Sequence, residues 1–228
     1  MSTVQASQKK AANIAGFSLL IMAVLGPFAY LFVFQRLIVY DNAATTAANI
    51  VASDGLFRMA IASLLAVVIL DVIVAVSLHI VFKRGYPILS LLAASFRIVY
   101  TAMFGVAIYQ LYNALRILTD AEYIMGWEPA ERYVQAMLNI HSFSNGWNTA
   151  LIIFGVHLLL LGYMMIISKD LPKYLGILLM IAGIGYVIDS LGLILFATYS
   201  FELSVYTFIG ELLLIVWLFI RGRKGFSS

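Results

Sequence analysis

Long apolar runs separated by short polar segments dominate this amino-acid sequence. Crossing a bilayer takes about 20 apolar residues at 1.5 Å of helical rise each. Six runs are long enough, at about 14–38, 56–82, 87–112, 146–167, 174–196 and 205–220. The pattern predicts an all-α fold, a polytopic transmembrane bundle of six helices that forms a single integral membrane domain over residues 1–228.

The loops between the runs predict the orientation of the chain. One side carries Lys9, Lys10, Lys83, Arg84, Lys169, Lys173, Arg221, Arg223 and Lys224, with Asp170 as its acid. The other side carries Arg36, Arg58, Arg116 and Arg132. Because the side richer in Lys and Arg stays in the cytoplasm, we expect cytoplasmic N- and C-termini and a multi-pass location in the inner (plasma) membrane.

The outer loops contain two short helical patterns. Asp41 is placed to cap a helix over Ala43–Ser53. A second pattern begins near Pro129 and continues to Ile140. We expect both to be short interfacial helices on the outer side, either capping the mouth of the bundle or lying on the membrane surface.

Composition narrows the classes of function. Hydrophobic residues make up 63% of the chain and charged residues 11%, against roughly 25% charged residues in a soluble domain. The net charge of +3 comes without a basic patch interleaved with aromatic residues, so nucleic acid is not predicted as a partner. The chain contains no cysteine, which excludes disulfides, thiolate metal sites and cysteine nucleophiles. The lipid bilayer is the predicted partner, with a small molecule, a lipid or an ion as the candidate ligand. No cofactor is predicted, and the sequence leaves the oligomeric state open.

Four ionisable residues lie inside the apolar runs, namely Asp71, Arg97, Asp189 and Glu211. An Arg or Asp at the centre of a membrane helix costs about 2.5–3.5 kcal/mol on insertion scales. Such residues are tolerated where they face a protein interior, pair with one another, or serve a ligand or a proton. We therefore expect a buried polar cluster.

Helical spacing places further residues beside these charges. His157 lies near the middle of the fourth run, and Tyr186 shares a helical face with Asp189. The candidate ligand, proton or ion site is accordingly Asp71, Arg97, His157, Tyr186, Asp189 and Glu211. No catalytic residue can be assigned.

Each charged residue has two interpretations. Arg97 either forms a structural ion pair, with Asp71 as its expected partner, or binds an anionic ligand. Asp189 and Glu211 are either protonated and hydrogen-bonded or form a proton relay or cation site.

The three histidines do not indicate a metal centre. His79, His141 and His157 lie on separate elements at different depths, and none of their spacings matches the i, i+4 pattern of a helical zinc site. We expect no metal, and a hydrogen-bonded core histidine at position 157.

Glycines recur at intervals of seven residues, at Gly155 and Gly162, Gly176 and Gly183, and Gly185 and Gly192. They are expected to be close-packing sites between helices.

Several segments resemble a known membrane-protein family. They are Phe154–Tyr163, Leu171–Gly176, Ala182–Ser190 and Gly210–Leu212, with earlier agreement at Arg36–Val39, Ala47–Ile50, Gly55–Arg58, Asp71–Val72 and Phe96–Arg97. In combination they resemble the bacterial integral membrane family called domain of unknown function 4386. The resemblance implies a multi-span inner-membrane protein of prokaryotes, supports the candidate charges and His157 as family positions, and implies no activity.

Three functions fit these patterns. The first is binding or transport of a small amphiphile or ion at the buried charges. The second is an accessory or sensory membrane subunit whose intramembrane ion pairs are structural. The third is an intramembrane enzyme that uses His157 with Asp189 or Glu211 as acid and base, which requires these groups within hydrogen-bond reach.

Overall fold

The computed structural model describes residues 3–169, 171–196 and 198–226, so Asp170 of the predicted cytoplasmic loops lies outside the described residues. The helices are α1 (Thr3–Pro27), α2 (Gln35–Leu37), α3 (Ala43–Ala52), α4 (Asp54–Phe82), α5 (Pro87–Thr119), α6 (Ala121–Gly126), α7 (Pro129–Ile167), α8 (Lys173–Leu195), α9 (Leu203–Thr207) and α10 (Ile209–Lys224), with a π-helix at Phe28–Phe34. No strand occurs among these residues. The all-α prediction is confirmed.

Five helical segments within the described ranges are long and apolar enough to cross a membrane. They are Gln5–Leu37, Asp54–Phe82, Pro87–Thr119, Pro129–Ile167 and Lys173–Leu195. This marks the chain as a membrane protein. The sixth predicted span corresponds to α9 and α10, which are separated at Phe208, and α10 has 16 residues. The count of six spans and the cytoplasmic termini therefore stay predictions.

The outer helices differ in part from the prediction. Helix α3 ends one residue before its predicted end at Ser53. Its N-cap is Asn42, whose side chain accepts a hydrogen bond from the Thr45 N–H, rather than Asp41. The helix that begins at Pro129 continues without a break into the fourth predicted span. Its 39 residues give a length of about 58 Å. No proline follows Pro129 within this helix, so no residue breaks its ladder of hydrogen bonds.

The chain folds as two compact units. Unit 2 comprises Met22–Ile69 and Ala102–Trp147. Its core contains an aromatic cluster in which Phe34 contacts Phe57 and Phe143, and Phe104 contacts Phe143 and Trp147. The four phenylalanines are buried. The α2–α3 connection is held by Thr46 Oγ1, which accepts from the Val39 N–H and donates to the Val39 carbonyl.

Unit 1 comprises Met1–Ile21, Leu70–Thr101 and Asn148–Ser228. Within it, side-chain contacts join neighbouring helices in a closed circuit: α4 to α5, α5 to α7, α7 to α8, α8 to α10, and α10 to α4. Helix α1 contacts α10 through Phe17 and Phe219 and contacts α4 through a hydrogen bond from Gln8 to the Val81 carbonyl. All of the predicted site residues lie on the helices of this circuit.

Glycines bring α7 and α8 into direct backbone contact at two levels. A Cβ on Gly155 would lie 2.7 Å from the Gly183 carbonyl oxygen, and one on Gly183 would lie 2.6 Å from the Gly155 oxygen. Gly162 and Gly176 form the same reciprocal pair one heptad away, at 2.5 and 2.7 Å. The predicted close-packing role of these four glycines is confirmed, since any side chain would force the helices apart.

We expect Gly155→Ala and Gly162→Ala each to lower the free energy of unfolding by about 1–3 kcal/mol, because the added methyl group meets backbone atoms that cannot move aside. Thermal unfolding in detergent measures the effect. The matched control is Gly105→Ala in α5, where the nearest atom to a new Cβ is 4.0 Å away. That variant should be as stable as the wild type or more so, because alanine has the higher helix propensity. Equal effects at all three positions would contradict the close-packing role.

Candidate functional site

The centre of the site is a buried ion pair between α5 and α4. Arg97 Nη2 donates to Asp71 Oδ1 at 2.5 Å. The Arg97 and Asp71 side chains are 3% and 1% exposed, respectively. This is one of the two interpretations of Arg97 that the sequence left open, and it places the positive charge of Arg97 directly against a carboxylate.

His157 extends the pair to α7 and has both ring nitrogens engaged. Its Nδ1 lies 2.9 Å from the Ala93 carbonyl oxygen and its Nε2 lies 3.2 Å from Arg97 Nη1. A carbonyl can only accept and a guanidinium can only donate. The geometry therefore fits a neutral imidazole that carries its proton on Nδ1 and accepts from Arg97 at Nε2.

One aromatic ring, that of Phe154, lies against the guanidinium. The Arg97 Cζ lies 5.2 Å from the centroid of Phe154, a distance that allows a cation–π interaction. Phe154 also contacts the rings of Tyr100 and Tyr186, at centroid distances of 4.7 and 5.6 Å. Phe154 precedes His157 by three residues, so both lie on one face of α7. The sequence prediction missed Phe154 because an apolar ring beside an apolar helix face carries no distinguishing signal.

Glu211 and Tyr186 form a second polar pair beside the first. The Tyr186 hydroxyl donates to Glu211 Oε1 at 2.8 Å. The Glu211 carboxylate is within electrostatic reach of both Arg97 and Asp71, and it is half-buried whereas Arg97 and Asp71 are fully enclosed. Glu211 forms no salt bridge with any residue that the structure describes.

Two polar atoms of the central ion pair have no hydrogen-bond partner within the described ranges. They are Arg97 Nε, a donor, and Asp71 Oδ2, an acceptor, and both atoms are inaccessible to solvent. Burying an unpaired polar group costs about 1–3 kcal/mol. The cluster is therefore not a fully satisfied network.

Asp189 has a different role from the other predicted residues. Its Oδ1 accepts from the Leu203 N–H at 3.0 Å and its Oδ2 accepts from the Ser204 N–H at 2.7 Å, at the first turn of α9. The Tyr199 hydroxyl donates to Oδ1 at 2.7 Å. Three donors suit an ionised carboxylate, so Asp189 acts as a cap that holds the connection between α8 and α9.

Tyr199 was not predicted from the sequence. It lies outside the apolar runs, in a segment where helical spacing does not indicate contacts. Its separation of ten residues from Asp189 was the one signal in the sequence that the two side chains lie close together. The hydrogen bond to Asp189 raises the pKa of Tyr199 to about 12. Gly192 faces the same ring, which leaves no room there for a side chain.

The histidines do not meet at one point. His79 Nδ1 lies 3.0 Å from Ser90 Oγ in unit 1, and His141 contacts the Tyr40 ring in unit 2. No group of three His, Cys, Asp or Glu side chains in the described part of the chain is arranged to hold a metal ion.

Comparison with known proteins places the chain in a family. The family model described as "Domain of unknown function (DUF4386)" matches residues 14–222. The chain belongs to the DUF4386 family. The resemblance inferred from the sequence segments is thereby confirmed, and all six predicted site residues fall within the matched region.

One relative is similar to this DUF4386 chain over most of its length. It is an uncharacterized protein of Archaeoglobus fulgidus, 36% identical over 166 residues, which cover 72% of this chain and 84% of the relative. No solved structure matches the chain.

We expect Asp71→Leu to lower the free energy of unfolding by about 3–5 kcal/mol, because it leaves the buried Arg97 charge without its carboxylate. The double variant Asp71→Leu/Arg97→Met should recover most of that loss, since both charges are removed together. A double-mutant cycle by thermal or denaturant unfolding in detergent measures the coupling. Additive effects would show that the two charges do not stabilise one another.

We expect Tyr199 to stay neutral up to about pH 12, and Asp189→Asn to lower its pKa towards the ordinary value of about 10. Because folding raises this pKa, the stabilisation from the hydrogen bond is present below about pH 10 and is lost as pH rises through about 12. Ultraviolet difference titration, with Tyr199→Phe to assign the signal among 13 tyrosines, measures the shift. Unchanged titration of Tyr199 in Asp189→Asn would contradict the cap.

Proposed function

We propose that this protein binds a small amphiphilic cation at the Glu211 carboxylate, and that transport of such a molecule across the inner membrane is the function that this binding serves. The observation that carries the proposal is the charge balance of the buried cluster. Arg97 is paired with Asp71, and His157 fits a neutral ring, so Glu211 is the acid of this cluster that forms no salt bridge among the described residues.

The direct ion pair argues against the anion-binding alternative. An anionic ligand at Arg97 would have to displace Asp71 or share the guanidinium with it. A positively charged ligand, or a proton, needs no such displacement, because Glu211 is half-buried and held by one hydroxyl donor. A desolvated carboxylate is stabilised by an opposite charge or by the uptake of a proton.

The rings beside Glu211 favour an amphiphile over a bare metal ion. Tyr186 and Phe154 stack edge to face, and aromatic faces attract organic cations such as quaternary ammonium groups.

The structural alternative has its own support. The Arg97–Asp71 contact and the Ala93–His157 hydrogen bond join α4, α5 and α7 whether or not a ligand binds. An accessory or sensory subunit needs no more than this, but it does not need Glu211. The enzyme alternative is less favoured, because both nitrogens of His157 are engaged by Arg97 and Ala93 and Asp189 caps α9.

The test measures binding of radiolabelled tetraphenylphosphonium to the purified protein by equilibrium dialysis. We expect Glu211→Gln to weaken binding by about tenfold or more, because the amide keeps the shape of the side chain and removes its charge. Glu211→Asp should retain part of the affinity. Glu202→Gln, at an exposed acid close in sequence, is the matched control and should bind as the wild type does.

Tetraphenylborate, an anion of nearly the same size and shape, separates charge recognition from apolar partitioning. The proposal requires that its binding not fall in Glu211→Gln. It fails if Glu211→Gln binds tetraphenylphosphonium as the wild type does, or if it loses both ions equally while staying folded by circular dichroism.

A further inference from the structure

A second polar site lies at the end of unit 1 that carries the Lys- and Arg-rich loops. A cavity of about 260 Å³ is lined there by residues of α1, the end of α4, the end of α10 with the residues that follow it, and the α4–α5 and α7–α8 connections. Its polar lining includes Gln8, Arg84, Tyr86, Ser168 and Arg221. None of these residues belongs to the Arg97 cluster, so the two sites are separate.

The described lining of the cavity carries positive charge and no acid. Arg84 and Arg221 come from different segments, the α4–α5 connection and the last turn of α10. Arg221 is oriented by a hydrogen bond from its Nη1 to the Gly225 carbonyl at 3.3 Å and by the Phe226 ring, 5.8 Å from its Cζ. Two arginines in the lining of one small cavity suit an oxyanion that accepts several hydrogen bonds at once.

Gln8 supplies a buried acceptor in the same lining. Its Nε2 donates to the Val81 carbonyl at 2.9 Å, which fixes the orientation of the amide because the reverse orientation would set two acceptors against each other. Its Oε1 is buried and has no partner in the described part of the chain. An acceptor beside two cations calls for a ligand that carries a hydrogen-bond donor as well as an anion.

Size and apolar lining restrict the ligand further. The volume lies just below the range of about 300–1,000 Å³ that is usual for drug-sized ligands. Tyr86, Phe82 and Phe226 provide apolar surface for a short carbon chain. Basic pockets between membrane helices are known to accept phospholipid head groups.

We propose that this cavity binds a phosphate group whose short carbon chain bears a hydroxyl, as in a glycerol phosphate. Arg84 and Arg221 contact the phosphate, and Gln8 Oε1 accepts from the hydroxyl. The same chemistry is found in the head group of phosphatidylglycerol and in free glycerol 3-phosphate.

The experiment titrates the full-length protein in a non-ionic detergent with dihexanoyl phosphatidylglycerol and, separately, with glycerol 3-phosphate, by isothermal titration calorimetry. Saturable binding of the lipid alone assigns a membrane source, and binding of both assigns the free compound as a ligand as well. The proposal fails if neither binds.

Paired variants separate the cavity from general charge attraction. We expect Arg84→Gln and Arg221→Gln each to weaken binding by about tenfold, the loss expected for one charge-assisted phosphate contact. Lys83→Gln and Arg223→Gln remove the same charge from neighbouring exposed positions outside the cavity lining and should change affinity by less than about twofold. Equal losses in lining and neighbouring variants would overturn the proposal.

Gln8→Met tests the hydroxyl contact, because methionine keeps the length of the side chain and removes its acceptor. We expect this variant to lose the preference for dihexanoyl phosphatidylglycerol over dihexanoyl phosphatidic acid, which lacks the glycerol head group. An unchanged preference in a folded Gln8→Met protein would overturn the assignment of the hydroxyl to Gln8.

Discussion

The ion pair between Arg97 and Asp71 is the constraint on which the rest of unit 1 depends. A guanidinium without a partner in an apolar helix bundle is costly. The two residues come from α5 and α4, so the pair fixes the contact between those helices. His157 then accepts from the same guanidinium and donates to the Ala93 carbonyl, which ties α7 to α5.

The remaining helices join this frame by packing and by a second polar pair. Reciprocal glycine contacts at Gly155 and Gly183, and at Gly162 and Gly176, bring α8 against α7. Tyr186 of α8 then reaches Glu211 of α10. Glu211 is thus placed near a pair that is already neutral, and it forms no salt bridge with any described residue, which is the observation behind the proposed cation site.

The sequence predicted those features that follow from helical periodicity and from the cost of burying charge. The partnership of Arg97 with Asp71, the glycine close-packing positions and the apolar helices all belong to this class. Apolar helices and glycine positions follow from the spacing of residues along one helix. The ion pair follows from the cost of exposing either charge to lipid.

Three features of the structure were not predicted from the sequence. Asp189 was expected in the charged cluster, but the segment after α8 folds back so that the Leu203 and Ser204 N–H groups and Tyr199 bond to its carboxylate. The sequence pattern predicted two helices where the structure has one, Pro129–Ile167. The start of the predicted span was placed where hydropathy rises, although the helix begins before that point. The tautomer of His157 depends on a carbonyl 64 residues away in sequence, which periodicity does not indicate.

The central claim is that the charge of Arg97 is balanced by Asp71, so that Glu211 is the carboxylate available to a ligand. Isotope-edited infrared difference spectroscopy tests it most directly, by comparing the carboxyl bands of the wild type, Glu211→Gln and Asp71→Asn when tetraphenylphosphonium is added. The account predicts a ligand-induced change that disappears in Glu211→Gln and persists in Asp71→Asn. A change that disappears in folded Asp71→Asn and persists in Glu211→Gln would contradict it.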